Sequence, residues 1–519
     1  MKKKIFISTA GIGSRVSGLG LVPNKSMLPI NYEAIITKIL DKFDNDTEII
    51  IALGHRANLV RNFINLAHPK KKIKFVVVDK YTGTGAGAGY TLNYCKKYLQ
   101  CPFIYTACDT ITVEKPKFEK FNWVGVSKTK ITERYLIFDK KSKYSGYSFF
   151  NKKRYFEISK KKKFFNAFIG LANIYDYKLF WKGFELNSNL EDNELQFSNG
   201  LYLLRNKIRL KKFNWLDTGT NESYVDTLNY FKDRTQRKPG EIVYIVKNRV
   251  IKYFSDESKC IKLKRRAKKL KTHSPKIIKS PNKFLVYEYV KGKHLTEVNE
   301  RIFLNFLENL KKTFWIKKKV NYLGFKNQCI QFYKHKTYNR IYEAINQNPN
   351  LDKAKIINGL KIPSIYKILS KVKWDTLSSG VPVNFHGDLQ PENIIVTNKE
   401  KFKLIDWRTD FSGLDYGDIY YEFAKLNHML TINTRKVIEG KINVYYKKKL
   451  EVNYKFETRK MLIKFQKILF KFIKKNNYDI KKVELLTALI YLNISKFYVS
   501  PYNELLFYHG KYQLYKLTQ

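Results

Sequence analysis

His386-Gly387-Asp388-Leu389-Gln390-Pro391-Glu392-Asn393, with Leu404-Ile405-Asp406-Trp407 downstream, is the stretch that decides how the second half of the chain is read. An apolar run at 381–385 leads into His-x-Asp, a second at 394–396 follows the Asn, and another then delivers Asp406. Phosphoryl transfer needs such a set. One carboxylate receives or orients the proton of an attacking hydroxyl, while an amide oxygen and a second carboxylate hold magnesium against nucleotide phosphates. On this reading Asp388 is the catalytic base, and Asn393 and Asp406 are magnesium ligands. Short β-segments on either side hold all three on one loop face. The competing reading is a polar turn between two strands. Kinase spacing of the Asp, the Asn and the second Asp argues against it.

The same stretch resembles the aminoglycoside phosphotransferase and choline kinase family of small-molecule kinases. The likeness extends into Gly413-Leu414-Asp415-Tyr416-Gly417-Asp418, where that family has an Asp-rich segment opening the next helix. The second Asp sits in Ile-Asp-Trp-Arg, the small-molecule form, and not in the Asp-Phe-Gly of protein kinases. The resemblance implies a metabolite substrate.

A chain of 519 residues has room for two to four domains, and 44% hydrophobic content makes it globular and not disordered. No window approaches the run of roughly 18 apolar residues that a membrane-spanning helix needs. Met1-Lys2-Lys3-Lys4 imitates a signal sequence, but the apolar run behind it is short and enters a Gly-rich loop, so a first β-strand is expected. Five cysteines without a Cys-x-x-Cys pair suit a reducing cytoplasm. The formal charge of +54 would ordinarily indicate nucleic acid or an anionic membrane. The excess, however, is mostly Lys scattered along the chain beside abundant Asn, Ile, Tyr and Phe, a pattern expected from an AT-rich genome. Weak peripheral association with an anionic membrane is the competing reading. No nucleic-acid-binding motif is present, so dedicated nucleic-acid binding is not expected.

At the N-terminus, residues 4–9 read as a buried strand running into Ala10-Gly11-Ile12-Gly13-Ser14-Arg15, followed by Pro23-Asn24-Lys25. A strand entering Gly-x-Gly lets backbone N–H groups approach phosphate oxygens, here at Gly11, Gly13 and Ser14. Arg15 and Lys25 add positive charge for a pyrophosphate leaving group. A dinucleotide fingerprint fails, because Val16 stands where its third Gly would be. The segment resembles the signature of sugar-phosphate nucleotidyltransferases, Gly-x-Gly-Thr-Arg followed by Pro-Lys. Ser14 replaces the Thr and Asn24 is inserted before Lys25. Helices at 35–43 and 57–66 alternate with strands at 48–53 and 73–78, which predicts a mostly parallel sheet covered on both faces.

Further motifs extend this resemblance over residues 4–232. The Gly83–Gly89 run stands at the family's base-contacting segment, implying Gly83 and Thr84 as nucleotide contacts. A strand at 102–107 ends in Cys108-Asp109, and a carboxylate at such a strand end lies where open α/β sheets bind ligands. Asp109 matches the family's metal-binding Asp. Trp215-Leu216-Asp217-Thr218-Gly219-Thr220 has the form seen in glucose-1-phosphate thymidylyltransferases, implying Asp217 as its partner on one magnesium. Ala167-Phe168-Ile169-Gly170-Leu171 and Glu194-Leu195-Gln196 resemble the sugar-binding strand and acidic segment, implying contacts at Gly170 and Glu194. Gln196 replaces an acid often found there.

A polar Pro-Gly break at 235–240 marks a linker between a domain at 1–234 and another at 241–519. Strands at 242–246 and 249–254 form a hairpin turning at Lys247-Asn248. Lys252 lies where the small-molecule kinases place their ATP-phosphate lysine. The helix after it should supply a paired acid, yet only Glu257 is acidic and the later turns are basic. Residues 284–292 read as the last small-lobe strand and hinge, so the small lobe spans 241–292. A helical large lobe follows at 293–519, with amphipathic patterns over 300–375 and 418–515, clearest at 301–316. The expected fold is α/β: a doubly wound, Rossmann-like nucleotidyltransferase domain and a bilobal, protein-kinase-like α+β domain. Together the resemblances imply a bifunctional kinase and nucleotidyltransferase using Mg2+ at both sites, with ATP and a second NTP as substrates. It would make an activated sugar for capsule or surface polysaccharide. The alternatives are an amino-alcohol kinase joined to a phosphocholine-type cytidylyltransferase, and one active transferase beside a regulatory pseudokinase lobe.

Overall fold

The computed structural model describes residues 3–19, 24–130, 134–140, 147–150, 164–190, 193–235, 238–448 and 450–519. They form two compact units. The first is Met1–Glu257 with Ile278–Tyr287, and the second is Ser258–Ile277 with Glu288–Gln519.

The first unit is built on β1 (Lys4–Ser8), which lies between β2 (Glu48–Leu53) and β4 (Phe103–Ala107), parallel to both. β3 (Ile73–Val77) extends the parallel sheet beyond β2. Side chains of a strand alternate between faces, and here both faces are buried. Ile5, Ile7, Ile49 and Ile51 enter one hydrophobic core, while Phe6, Ile50 and Ala52 enter the other. The expected parallel sheet covered on both faces is present, with an addition. β9 (Phe165–Ile174) pairs antiparallel with β4 and with β6 (Asn122–Thr129), so the sheet is mixed. β5 (Thr110–Thr112) leaves this sheet to pair antiparallel with β11 (Trp215–Asp217).

The Pro-Gly break at 239–240 is not where the compact units part. β12 (Glu241–Val246) and β13 (Arg249–Phe254) form the expected hairpin, with Lys247 at φ +55° in its turn. With β15 (Phe284–Glu288) and β14 (Ile277–Lys279) they make a four-stranded sheet. Tyr244, Val246, Ile251 and Phe284 share one core with Ile5 and Ile49. The Tyr244 ring lies 4.6 Å from Phe63 of α2 (Ala57–Ala67), and its hydroxyl donates to the Met27 carbonyl at 2.7 Å. The Ile245 amide donates to the Tyr32 carbonyl at 2.7 Å. An apolar hairpin face needs a partner, and here it finds one on α2.

The second unit is mainly helical. α6 (Glu300–Thr313) buries Phe303, Phe306, Leu307 and Leu310, close to the expected helix at 301–316. Phe303 stacks at 4.4 Å on Phe465 of α9 (Lys460–Lys475). α8 (Ile419–Thr431) is buried from Ile419 through Leu430, although it carries Glu422, Lys425, Asn427 and His428. The span 418–515 is largely helical, as its patterns predict, with one interruption. Ile442–Lys448 and Glu451–Phe456 form a β-hairpin paired to Ile356–Ile357. Val452 and Tyr454 are buried at the strand period of two, but Asn453 between them is buried as well, and lysines surround the pair, so the period is obscured.

If Tyr244 belongs to the first core, Tyr244→Ala should destabilise that unit by about 3–5 kcal/mol, the cost of a large buried cavity. Tyr244→Phe, which loses the bond to Met27, should cost about 1 kcal/mol. Urea unfolding of both variants checks this. Near-wild-type stability of the alanine variant would detach the hairpin from that core.

Candidate functional site

The first candidate site is a cavity of about 540 Å³ in the first unit, at the carboxyl ends of β1 and β4. It lies where the chain leaves β1 between neighbours on opposite sides, the switch point at which open α/β sheets bind ligands. Gly11, Gly13, Ser14, Arg15, Lys25, Asp109, Gly170, Glu194 and Asp217 all line it. Gly83 and Thr84 are not among its lining residues; that part of the wall comes from Tyr81, Thr82, Gly87 and Ala88. The glycine run instead admits the segment that carries Glu194. A side chain at Gly87 would come within 2.7 Å of the Leu195 carbonyl, and the Gly89 amide donates to that carbonyl at 2.8 Å.

Local chemistry explains how each charged group is held. Asn24, the insertion before Lys25, is buried and donates through Nδ2 to the carbonyls of Thr9 and His55, both at 3.1 Å. Its Oδ1 accepts from the Ser26 amide at 3.0 Å and caps the short helix Lys25–Met27. Lys25 is thereby aimed at Asp109, 2.5 Å from its Oδ2. Burial pulls the Lys25 ammonium down and pushes the Asp109 carboxyl up. Their attraction outweighs both, leaving Lys25 raised and Asp109 lowered.

Asp217 stands opposite Thr110 in the β5–β11 pairing. The Thr218 amide and hydroxyl both donate to the Asp109 carbonyl, at 3.2 and 3.0 Å. The two carboxylates therefore converge. A Cβ built on Gly219 would lie 3.0 Å from Asp217 Oδ1 and 3.2 Å from Asp109 Oδ2. Gly170, at φ +74°, lets β9 bulge past the end of β4, since a Cβ there would meet that of Ala107 at 2.9 Å. Sequence reasoning missed Arg134 and Tyr135, which hold Asp217 Oδ2 at 2.9 and 3.0 Å. Their separation from Asp217 along the chain leaves no spacing signal. Among the described residues, no group of three or more His, Cys, Asp and Glu could hold a metal ion.

The second candidate site lies in the second unit around Asp388. β16 (Ile394–Val396) and β17 (Phe402–Leu404) pair antiparallel, and the Ile405 amide donates to the Asn393 carbonyl at 2.9 Å. Asn393 and Asp406 thus flank one hairpin. Asn393 Nδ2 donates to the Asp388 carbonyl at 2.9 Å and to its Oδ2 at 3.2 Å. Asp406 has φ +60°, a strained value for a residue with a Cβ. His386 lies beneath the loop. Its Nδ1 accepts the Asp388 amide at 3.2 Å, which leaves Nε2–H to donate to the Ile405 carbonyl at 3.0 Å. Burial lowers its pKa to about 4, so the ring is neutral.

Three further residues that the sequence did not mark complete this second site. Lys425 of α8 lies 2.7 Å from Asp388 Oδ1. Glu422 accepts the His386 and Gly387 amides at 3.0 and 2.8 Å. Arg266 of α5 (Glu257–Leu270), one of the turns expected to be merely basic, donates to the carbonyls of Phe385 and Asp415. Lys252, buried on β13, belongs to the first unit with Glu257; Asp388, Asn393 and Asp406 belong to the second. No helix among the described residues is long and apolar enough to cross a membrane.

No family model matches the chain, and no curated protein matches it. Among solved structures it is similar to a Bacillus anthracis protein provisionally assigned as a glucose-1-phosphate thymidylyltransferase. Identity is 21%, covering 46% of this chain and 98% of that one, at a TM-score of 0.37. A UDP-glucose pyrophosphorylase bound to UDP-glucose matches at 16% identity over 45% of this chain and 100% of its own, TM-score 0.36. The CTP:phosphocholine cytidylyltransferase of Streptococcus pneumoniae matches at 14% identity over 44% and 100%, TM-score 0.36.

Burial pushes the Glu422 carboxyl up to about 7, against the pull of the two amides that donate to it. A carboxyl that keeps its proton longer when folded costs the folded state stability as pH rises from its unfolded value toward 7. Glu422→Gln removes that titration. From pH 5 to pH 8 the wild type should lose on the order of 2–3 kcal/mol relative to the variant. Urea unfolding of both proteins at the two pH values measures the difference, and parallel pH profiles would contradict it.

Proposed function

We propose that the chain is a bifunctional enzyme. The second unit phosphorylates a hydroxyl on a small metabolite with ATP, and the first couples the new phosphate to a nucleoside triphosphate and releases pyrophosphate. The product would be a nucleotide-activated sugar for surface polysaccharide. The observation that carries the first half is the convergence of Asp109 and Asp217 on one point in a cavity also lined by Gly11, Gly13, Arg15 and Lys25.

The cavity residues take distinct parts. Backbone N–H groups of the Gly11–Ser14 turn face nucleotide phosphates at close range. Arg15 and Lys25 offset charge on the departing pyrophosphate. An oxygen of the acceptor's phosphate attacks the α-phosphorus, and the bond from that phosphorus to the bridging oxygen breaks. Two carboxylates suit a hard divalent cation, and Asp109 and Asp217 would hold magnesium, whose bound charge polarises the α-phosphate. Lys25 and Arg134 now neutralise those carboxylates and would give way to the ion.

In the second unit, Asp388 orients the acceptor hydroxyl and receives its proton, while Asn393 and Asp406 would hold magnesium on the ATP phosphates. The neutral His386 and the Glu422 acceptor keep the Asp388 loop in place from beneath. ATP, a second NTP and the acceptor are the partners proposed, in the cytoplasm. Scattered surface lysine gives weak, salt-sensitive contact with anionic membranes, and nucleic acid has no dedicated site.

Asp217→Asn should lower pyrophosphate release from phosphorylated acceptor and NTP on the order of 100-fold or more. Asp388→Ala should stop conversion of the free acceptor by roughly 100-fold or more, yet still process added phosphorylated acceptor. A time course of nucleotide-linked product on both variants measures this. Wild-type conversion of free acceptor by Asp388→Ala would remove the kinase assignment, and wild-type pyrophosphate release by Asp217→Asn would remove the metal assignment.

A further inference from the structure

Beside Asp388 the second unit gathers cations that its own acids do not balance. α7 (Lys336–Gln347) begins where a π-helical turn, Gln331–His335, ends. Such turns are rare and are frequent at functional sites. Lys336 Nζ sits 3.1 Å from the Phe332 ring centre and 5.2 Å from that of Tyr421, and Arg408 Cζ is 5.0 Å from the same Phe332 ring. The Arg408 stem covers the loop residue before Asp388, since a Cβ at Gly387 would meet its Cδ at 2.7 Å. Tyr421 and Lys425 lie one turn apart on α8, which ties this aromatic floor to the lysine on Asp388.

The cations make few hydrogen bonds in the fold. Arg408 Nε is buried without a hydrogen bond. Neither the Lys336 side chain nor the Arg408 guanidinium has a hydrogen bond or ion pair with a described residue. Arg340 has a long bond, 3.5 Å, to the Asn493 carbonyl, and its Cζ lies 5.0 Å from the Phe497 ring centre. Glu343 attracts Arg340 and Asp410 attracts Arg408, but each acid is shared: Glu343 pairs with Lys496, Asp410 accepts the Gly413 amide, and Asp388 is held by Lys425. Lys336 and Arg340 are also like charges one turn apart on a helix, an arrangement that opposes folding. Burial and the neighbouring Arg408, Arg340 and Lys425 push the Lys336 ammonium well below its ordinary range. Unpaired, partly buried charge of one sign costs free energy unless a counter-ion arrives.

We propose that the hydroxyl compound accepted by the second unit carries an anionic group of its own, a phosphate or carboxylate, which docks on Lys336, Arg340 and Arg408 beside Asp388. The inference rests on the reading of Asp388 as the base of a kinase, and it narrows the acceptor. A cationic amino alcohol would meet like charge there, whereas an acidic sugar would supply the missing counter-charge. Asn393 and Asp406 flank the hairpin beside Asp388, whereas Lys336 and Arg340 lie on α7; Arg408, two residues beyond Asp406, stands between the two groups.

The test uses the full chain and three matched acceptors: a hexose, its 6-phosphate and its uronic acid. With ATP, one or both of the anionic acceptors should show kcat/KM about 10-fold or more above the neutral hexose, and which one responds distinguishes phosphate from carboxylate. Lys336→Gln and Arg408→Gln should each shrink that ratio about 10-fold, while Lys336→Arg keeps it. Preference for the neutral hexose, or a ratio unmoved by the glutamine variants, would overturn the proposal. So would an equal loss of MgATP affinity in Lys336→Gln, because the cations would then serve the nucleotide. Calorimetry with inorganic phosphate separates the two readings. If ATP phosphorylates none of the acceptors, the kinase reading fails. A roughly 10-fold weaker phosphate affinity in Lys336→Gln would still establish the anion site, and unchanged affinity would remove it.

Discussion

Three residues of antiparallel pairing hold the first site together. Thr110–Thr112 leaves the end of β4 and meets Trp215–Asp217, and this short ladder brings Asp217 beside Asp109. Backbone hydrogen bonds fix position more tightly than long side chains can, and Thr218 adds two more onto the Asp109 carbonyl. The acids then face each other across Gly219, where any side chain would intrude between them. Like charges held so close must be neutralised, and Lys25 and Arg134 do so from opposite sides. Much of the cavity wall serves that arrangement: Asn24 aims Lys25, and the bulge at Gly170 clears the end of β4.

The second site solves a related problem with buried charge in place of paired strands. The His386–Asp388 turn leaves backbone groups inside the fold, where each needs a partner. Glu422 accepts two of the amides, and Arg266 donates to the Phe385 carbonyl just before the turn and to the Asp415 carbonyl of a neighbouring segment. This explains a helix that is buried on every side yet carries a carboxylate and an ammonium. The polar residues of α8 are the floor on which the loop rests.

Much of the fold was legible in the sequence, because strand alternation and Gly-x-Gly turns are local signals. β1, β2, α2 and the 241–254 hairpin fall where the pattern placed them. Asp109 and Asp217 were legible as a pair through their motifs. Contacts across the fold were not. Arg134 and Tyr135 reach Asp217 through tertiary structure, and Arg266 reads as one more cation in a basic helix until it is found buried. Lysine abundance hid signals of two kinds, masking the strand period at 442–456 and making Lys336 look like ordinary surface charge. The glycine run at 83–89 has a packing role that its sequence does not announce, since its small residues make room for the protein's own segment at 194–196.

The sheet of β12, β13 and β15 changes how the chain must be assembled on the ribosome. The first unit is not complete when its parallel sheet has been made, because Tyr244 and Phe284 are part of its core. Its last strand emerges after 258–277, a stretch that belongs to the other unit. The polypeptide therefore passes from one unit to the other three times, and neither set of residues is a continuous block of the gene. Such interleaving prevents simple exchange of halves between genes. A recombination point at the Pro-Gly break would deliver a parallel sheet whose core still lacks the strands that close it.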